Sequence, residues 1–120
     1  MSLSKLYSAT FLGLDPYLID VEVDIRTAEE MTRIIIVGLP DVAVKESKDR
    51  VLAALRNSSF SLGIVDCTIN LAPGDMKKVG PLYDLPIALG MLCGLGILKT
   101  SISEDYLTVG ELALSGATRS

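Results

Sequence analysis

The segment Tyr17 to Ile25 limits the folds open to this chain more than any other. Apolar Ile19, Val21, Val23 and Ile25 alternate with Leu18, Asp20, Glu22 and Asp24. A period of two places the first set on one face of a strand and the second on the other. One face is buried and the other wet, as in an antiparallel sheet covered on a single side. Ser4 to Leu12 reads as the partner strand of a hairpin, with Leu6, Ser8 and Thr10 alternating against Tyr7, Ala9 and Phe11. Gly13-Leu14-Asp15-Pro16 between them supplies turn chemistry.

Arg33 to Val37 is a third strand, and its Ile-Ile-Ile-Val run predicts burial on both faces. Gly38-Leu39-Pro40-Asp41 ends it and launches a helix running to about Ser59. Pro40 suits the first turn, where no N–H is required, and Asp41 complements the positive helix start. Val44, Val51 and Leu55 form a stripe at helical spacing, flanked by Leu52 and Ala54, and Glu46–Arg50 is a favourable i,i+4 pair. Lys48 falls inside the stripe. Its stem either lies along the core edge, or its amine contacts a partner or ligand.

Asp66 to Leu71 is a fourth strand, followed by Ala72-Pro73-Gly74-Asp75, a basic Lys77-Lys78 loop and a Gly80-Pro81 turn. Asp84 is the expected N-cap of a helix over Leu85 to Leu98, with Pro86 in its first turn. Gly90, Gly94 and Gly96 in that helix let a neighbouring element approach closely. Tyr106 to Leu114 reads as a last strand before a turn at Gly116. The expected architecture is one α/β (α+β) domain over residues 1–120, with helices packed on a mixed sheet.

Composition removes several functions. The chain has 120 residues, 49% of them hydrophobic and 22% charged, enough for one core. A net charge of −4 is the wrong sign for a domain that grips phosphate backbones over a broad face. No histidine exists, so the commonest general base and zinc ligand are missing. Cys67 and Cys93 stand far apart in apolar settings and read as reduced core residues. The N-terminus lacks a signal-peptide layout, and the longest uncharged stretch, Leu85 to Leu98, is 14 residues, short of the ~20 that span a bilayer. A cytoplasmic protein with no membrane contact is expected.

Specific chemistries can be checked one by one. A P-loop needs Gly-x4-Gly-Lys-Ser/Thr so that backbone N–H groups wrap the phosphates. Before Lys99-Thr100 the two glycine positions read Cys93 and Leu98, which excludes that loop. Gly94-Leu95-Gly96 is part of a dinucleotide fingerprint but lies near a helix end instead of its start. A Ser-His-Asp triad is impossible without histidine. Asp20, Glu22 and Asp24 read as a solvated face in preference to an acid/base pair or metal site. No catalytic, cofactor-binding or metal-ligating residue is assigned. Lys45, Lys48, Lys77 and Lys78 are either solvated surface or contacts to DNA or a neighbouring subunit.

Two stretches are far more specific. Val37-Gly-Leu-Pro-Asp-Val-Ala-Val-Lys-Glu-Ser-Lys-Asp-Arg-Val-Leu-Ala-Ala-Leu-Arg-Asn-Ser-Ser-Phe60 is the first, and Asn70-Leu-Ala-Pro-Gly-Asp-Met-Lys-Lys-Val-Gly-Pro-Leu-Tyr-Asp-Leu-Pro-Ile-Ala-Leu-Gly90 the second. Gly110-Glu-Leu-Ala-Leu-Ser-Gly116 supports them. Together they resemble the N-terminal domain of the Mg-chelatase-related AAA+ proteins, the YifB/ComM family, over nearly the whole chain. The positions matching the family motifs are Gly38, Pro40, Lys45, Glu46, Ser47, Arg50, Asn57, Asn70, Pro73, Asp75, Lys78, Gly80, Asp84 and Pro86. Departures fall at Gly74, Met76, Lys77 and Val79, where the family usually shows Ala, Leu, Pro and Glu. Ser59 replaces a glycine and Ser115 an aspartate.

The resemblance implies the fold of the second domain of ribosomal protein S5 and of the Lon protease domain, with a left-handed βαβ crossover. It implies an AAA+ ATPase module beyond Ser120 that carries ATP and Mg, with no cofactor in these residues. The expected partners are the other domains and subunits of that assembly, and DNA, because ComM-type members resemble ATP-driven branch-migration motors. Lon-type proteases carry their nucleophile in Lys-x-Gly-Pro-Ser-Ala-Gly, and the matching Lys78-Val-Gly-Pro-Leu-Tyr-Asp84 has Leu82 at the serine position. The partner lysine of that dyad would fall after Ser120. A non-catalytic accessory domain is therefore expected, ahead of a free-standing S5-type nucleic-acid-binding module and of a Lon-like peptidase.

Overall fold

The central alternation becomes strand β2 (Asp15–Thr27), in which Ile19, Val21, Val23 and Ile25 are buried and the residues between them are not. A computed structural model describes residues 2–12, 14–74, 76, 78, 80–98 and 108–119. β1 (Ser2–Leu12) pairs with β2 antiparallel along its full length, from Ser2 opposite Ile25 to Leu12 opposite Asp15. Helix α1 (Asp41–Asn57) links β3 (Arg33–Val37) to β4 (Val65–Ala72). β4 lies antiparallel to β2 and parallel to β3, which gives a four-stranded mixed sheet in the order β1-β2-β4-β3. The peptide bond between Ala72 and Pro73 is cis.

Both helices cover one face of this sheet. A short 3-10 turn (Gly80–Tyr83) leads into α2 (Asp84–Gly94). Its buried Ile87 and Met91 join Leu6, Val21, Val23, Ile69, Leu71 and Val51 in the core. The glycine reading is right for two positions. A Cβ on Gly90 would stand 2.6 Å from Val23 Cγ2, and one on Gly94 2.9 Å from Ile25 Cδ1. Gly96 does something else: it meets no neighbour and adopts φ +79°, closing the helix after Gly94 instead of continuing it to Leu98. Cys67 and Cys93 are both buried, and burial pushes the Cys67 thiol up to about 12.

Two strands correct the sequence reading and a third adds to it. β3 is not buried on both faces: Ile34 and Ile36 point into the core, but Ile35 and Val37 are 45% and 50% exposed. β3 is an edge strand and the helices cover one side only, so its apolar run cannot be enclosed twice. On β1 the inward set includes Ser4, Ser8 and Thr10, so a core face there is partly polar. The last strand shrinks to β5 (Glu111–Leu112), which pairs with β6 (Thr118–Arg119) in a separate two-stranded hairpin. Tyr106 and Leu107 lie outside the described residues.

Candidate functional site

The most ordered polar site joins α1, α2 and β5. Ser47 and Arg50 are three residues apart, hence on one face of α1, and that face looks at the first residue of α2, Asp84. Arg50 Nε donates to Asp84 Oδ2 at 2.5 Å and Nη2 to Oδ1 at 3.1 Å. Ser47 Oγ donates to Oδ1 at 2.7 Å, and the backbone N–H of Leu112 donates to Oδ2 at 3.2 Å. The carboxylate thus accepts four bonds, about what its two oxygens can take. Asp84 is 0% exposed. A two-pronged guanidinium–carboxylate contact is the strongest ordinary form of ion pair, and it holds Arg50 in its charged form more firmly than usual.

Two local readings are corrected by this geometry. Asp84 is not a side-chain N-cap, because the cap position is Tyr83 and no side chain caps it. The N–H of Leu85 is met instead by the carbonyl of Gly110 at 3.0 Å. Pro40, similarly, is the N-cap residue of α1, and its carbonyl accepts the Val44 N–H. The Glu46–Arg50 pair exists, but at 3.9 Å it is the looser of the two contacts made by Arg50. Neither long-range partner of Arg50 and Ser47 has a local signal in the sequence.

The same end of the molecule is tied together by backbone. Gly110 N–H donates to Leu82 O at 2.8 Å, Asn57 Nδ2 to Leu114 O at 2.7 Å, and Thr108 N–H to Tyr7 O at 2.9 Å. Tyr83, fully buried, sends its hydroxyl to Ala9 O. Leu82 itself is half-buried. Pro86 is buried in the first turn of α2, and Asn70 Nδ2 reaches Glu22 Oε1 across the open face at 3.0 Å. Gly38 takes φ +102° at the end of β3.

Lys45, Lys48 and Lys78 sit in three different settings. Lys45 is exposed on α1, as is Glu46 beside it. Lys48 is half-buried, and its amine donates to Ile34 O at 3.4 Å. Lys78 is buried, its amine donating to Pro73 O at 2.5 Å and Met76 O at 3.1 Å. Lys77 and Asp75 lie outside the described residues. On the outer face Asp20 pairs with Lys5 at 3.4 Å and Asp24 with Arg26 at 3.2 Å. Among the described residues, no three His, Cys, Asp or Glu side chains come together as a metal ion would need. None of their helices is long and apolar enough to cross a membrane.

Comparison with known proteins places the chain in a family. A family profile described as subunit ChlI of Mg-chelatase matches residues 21–120. The chain belongs to the Mg-chelatase-related ComM/YifB family. It is 43% identical over 119 residues to the uncharacterized protein YifB of Escherichia coli and 40% identical to the competence protein ComM of Haemophilus influenzae. The uncharacterized protein Rv2897c of Mycobacterium tuberculosis is 34% identical over the same length. Each match covers 99% of this chain and 23% of the relative, so the chain spans about a quarter of their length. In this Mg-chelatase-related chain, the two motif helices meet at Ser47, Arg50 and Asp84, and the third motif supplies Leu112.

Proposed function

We propose that this chain is a non-catalytic accessory domain of a Mg-chelatase-related AAA+ ATPase, serving subunit packing or DNA handling in the cytoplasm. One observation carries the reading. The polar residues that the motifs contribute, Ser47, Arg50 and Asp84, are spent on one another and on the Leu112 N–H, behind a carboxylate that is 0% exposed. A general base or nucleophile must reach a substrate, and these groups are bonded to one another, to Leu112 and to Glu46. The motifs here shape a fold.

Other features support it. The four-stranded mixed sheet with two helices on one face is compatible with the S5-domain-2 and Lon-like fold, in which the serine position reads Leu82 here. ATP and Mg would be handled by other parts of the longer relatives, since the glycine positions ahead of Lys99-Thr100 hold Cys93 and Leu98. A free-standing nucleic-acid module is disfavoured by the net charge of −4 and by the inward-turned Lys78.

Two assays test this. Casein incubated with the chain should stay intact, and cleavage abolished by substituting a serine would overturn the non-catalytic reading. Gel-shift titrations at low salt against single-stranded and Holliday-type DNA separate the two accessory roles. A shift assigns the chain to DNA handling, and none at any concentration assigns it to packing within the assembly.

A further inference from the structure

The two ends of the sheet carry complementary surfaces. At about 3.4 Å per residue a strand as long as β2 spans ~44 Å, which matches the longest dimension of the molecule, 43 Å. β4 pairs with β2 only from Asp20 to Thr27, so the β1–β2 hairpin reaches past its neighbour by the stretch Asp15–Ile19. This projecting end is apolar. Leu14 is 98% exposed, Leu18 55%, and Tyr17 is exposed as well. Asp15 at the tip is exposed and makes no ion pair among the described residues.

The opposite end holds a groove of about 550 Å³. It lies where β2 finishes and β4 begins, since Thr27 pairs with Val65, Ala28 N–H donates to Ile64 O, and Thr32 Oγ1 donates to Gly63 O. Leu52, Leu55, Phe60 and Leu62 line it, and Arg56 is the charged residue among its walls. Arg56 is exposed and, like Asp15, has no ion pair among the described residues. Clefts that enclose a drug-sized ligand run to about 300–1,000 Å³, and two or three apolar side chains are of similar bulk.

A projecting apolar tip with one anion and a recessed apolar groove with one cation are therefore found at opposite ends of one strand. No single molecule can bring them together. We propose that the groove takes the Leu14–Leu18 tip of a second copy of this chain, with Asp15 of one copy paired to Arg56 of the next. Such a contact is head-to-tail, so each copy gives a tip and receives one, and assemblies grow by single chains. The area is small, and the association is weak. The inference stands apart from the accessory-domain reading, because it uses neither the motif residues nor any catalytic assignment.

Sedimentation velocity across about 10 μM to 1 mM reads such weak self-association. The weight-average mass of the wild-type chain should climb with concentration. Leu14→Asp and Arg56→Asp should each weaken association about tenfold or more, and combining Asp15→Arg with Arg56→Asp should restore it. Both sites are exposed, so circular dichroism of each variant should match the wild type. The deciding sample is an equal mixture of Leu14→Asp and Arg56→Asp chains: one intact tip and one intact groove remain, so it should stop at dimers. A wild-type chain that stays monomeric throughout overturns the proposal. So does association that either single substitution leaves unchanged, or a mixture that forms no dimer.

Discussion

Asp84 with Arg50 and Asp20 with Lys5 are the same chemistry in two settings. The first carboxylate is wholly enclosed and accepts from a guanidinium, a hydroxyl and a backbone N–H. The second sits on the open face of the sheet, 3.4 Å from an amine whose side chain is 42% exposed. Water competes for every donor and acceptor in the outer pair and for almost none in the inner one. The inner pair is therefore worth little as attraction alone, because both charges were dehydrated to make it, yet it is costly to break. The outer pair is cheap to make and cheap to lose. What distinguishes them is how many elements depend on the carboxylate: α1 and β5 both donate to Asp84, which α2 carries, whereas Asp20 links two strands already joined by backbone hydrogen bonds.

The sharpest way to break this comparison is Asp84→Ala. It leaves a guanidinium, a hydroxyl and an amide N–H without their acceptor, and should cost about 3–5 kcal/mol in urea unfolding. The pair Arg50→Met with Asp84→Leu should cost less than the sum of the two single changes, since no unpaired charge remains. If Asp84→Ala unfolds at the wild-type midpoint, the carboxylate is not the tie between the three elements.

Burial without a partner gives a third case. Ser8 on β1 is 0% exposed, and its hydroxyl has no hydrogen-bond partner among the described residues. An enclosed, unpaired hydroxyl is a cost of about 1–3 kcal/mol on folding, so Ser8→Ala should raise stability by about 1 kcal/mol, where removing the Asp84 carboxylate lowers it. A loss on Ser8→Ala would mean that the oxygen is satisfied by an ordered water.

A fourth change acts on α1 far along its length from the clamp and touches no polar pair. Both helices end in the same motif, in which a residue of positive φ lets two N–H groups turn back onto the last carbonyls. At α2 that residue is Gly96, and Ile97 N–H reaches Leu92 O at 2.9 Å. At α1 it is Ser59, at φ +68°, with Phe60 N–H on Leu55 O at 3.0 Å. A side chain in this region costs roughly 1–2 kcal/mol, partly offset by the greater freedom of glycine in the unfolded chain. Ser59→Gly should therefore stabilise by about 0.5–1 kcal/mol, read as a shift in the urea midpoint.

These cases mark what the sequence could reveal. Period-two alternation in β2, the helix start at Pro40-Asp41 and the burial of both cysteines follow from local pattern, and local pattern was enough. Ile34 to Val37 was misread because an apolar run reports affinity for a core and not how many faces the fold will cover. Asp84 looked like a cap, and Arg50 like a partner of Glu46, because spacing of three or four residues is all that helical geometry exposes. The bonds that organise the site join residues 34 and 37 positions apart in sequence. The family resemblance pointed to Ser47, Arg50 and Asp84 without saying that they meet. The Leu14 tip and the Phe60 groove were visible as a turn and a helix end, but their opposition across the sheet is a property of topology alone.

The smallest effect belongs to the outer pair and closes the comparison. Lys5 is held in its charged form more strongly than usual, first by the charge of Asp20 and then by that of Tyr7, whose ring centroid lies 5.4 Å from the amine. A lysine whose folded-state pKa is raised contributes stability that is present below its ordinary range, about 10.4, and is lost as pH climbs through the folded value. Solvent around the amine screens that contribution, so Lys5→Met should leave the urea midpoint unchanged within error at pH 7 and add no step above pH 10. It should also leave the salt dependence of stability unaltered. A drop on Lys5→Met comparable to that of Asp84→Ala would show that the open face is covered in solution, and the distinction between the two pairs would collapse to one of partners and not of burial.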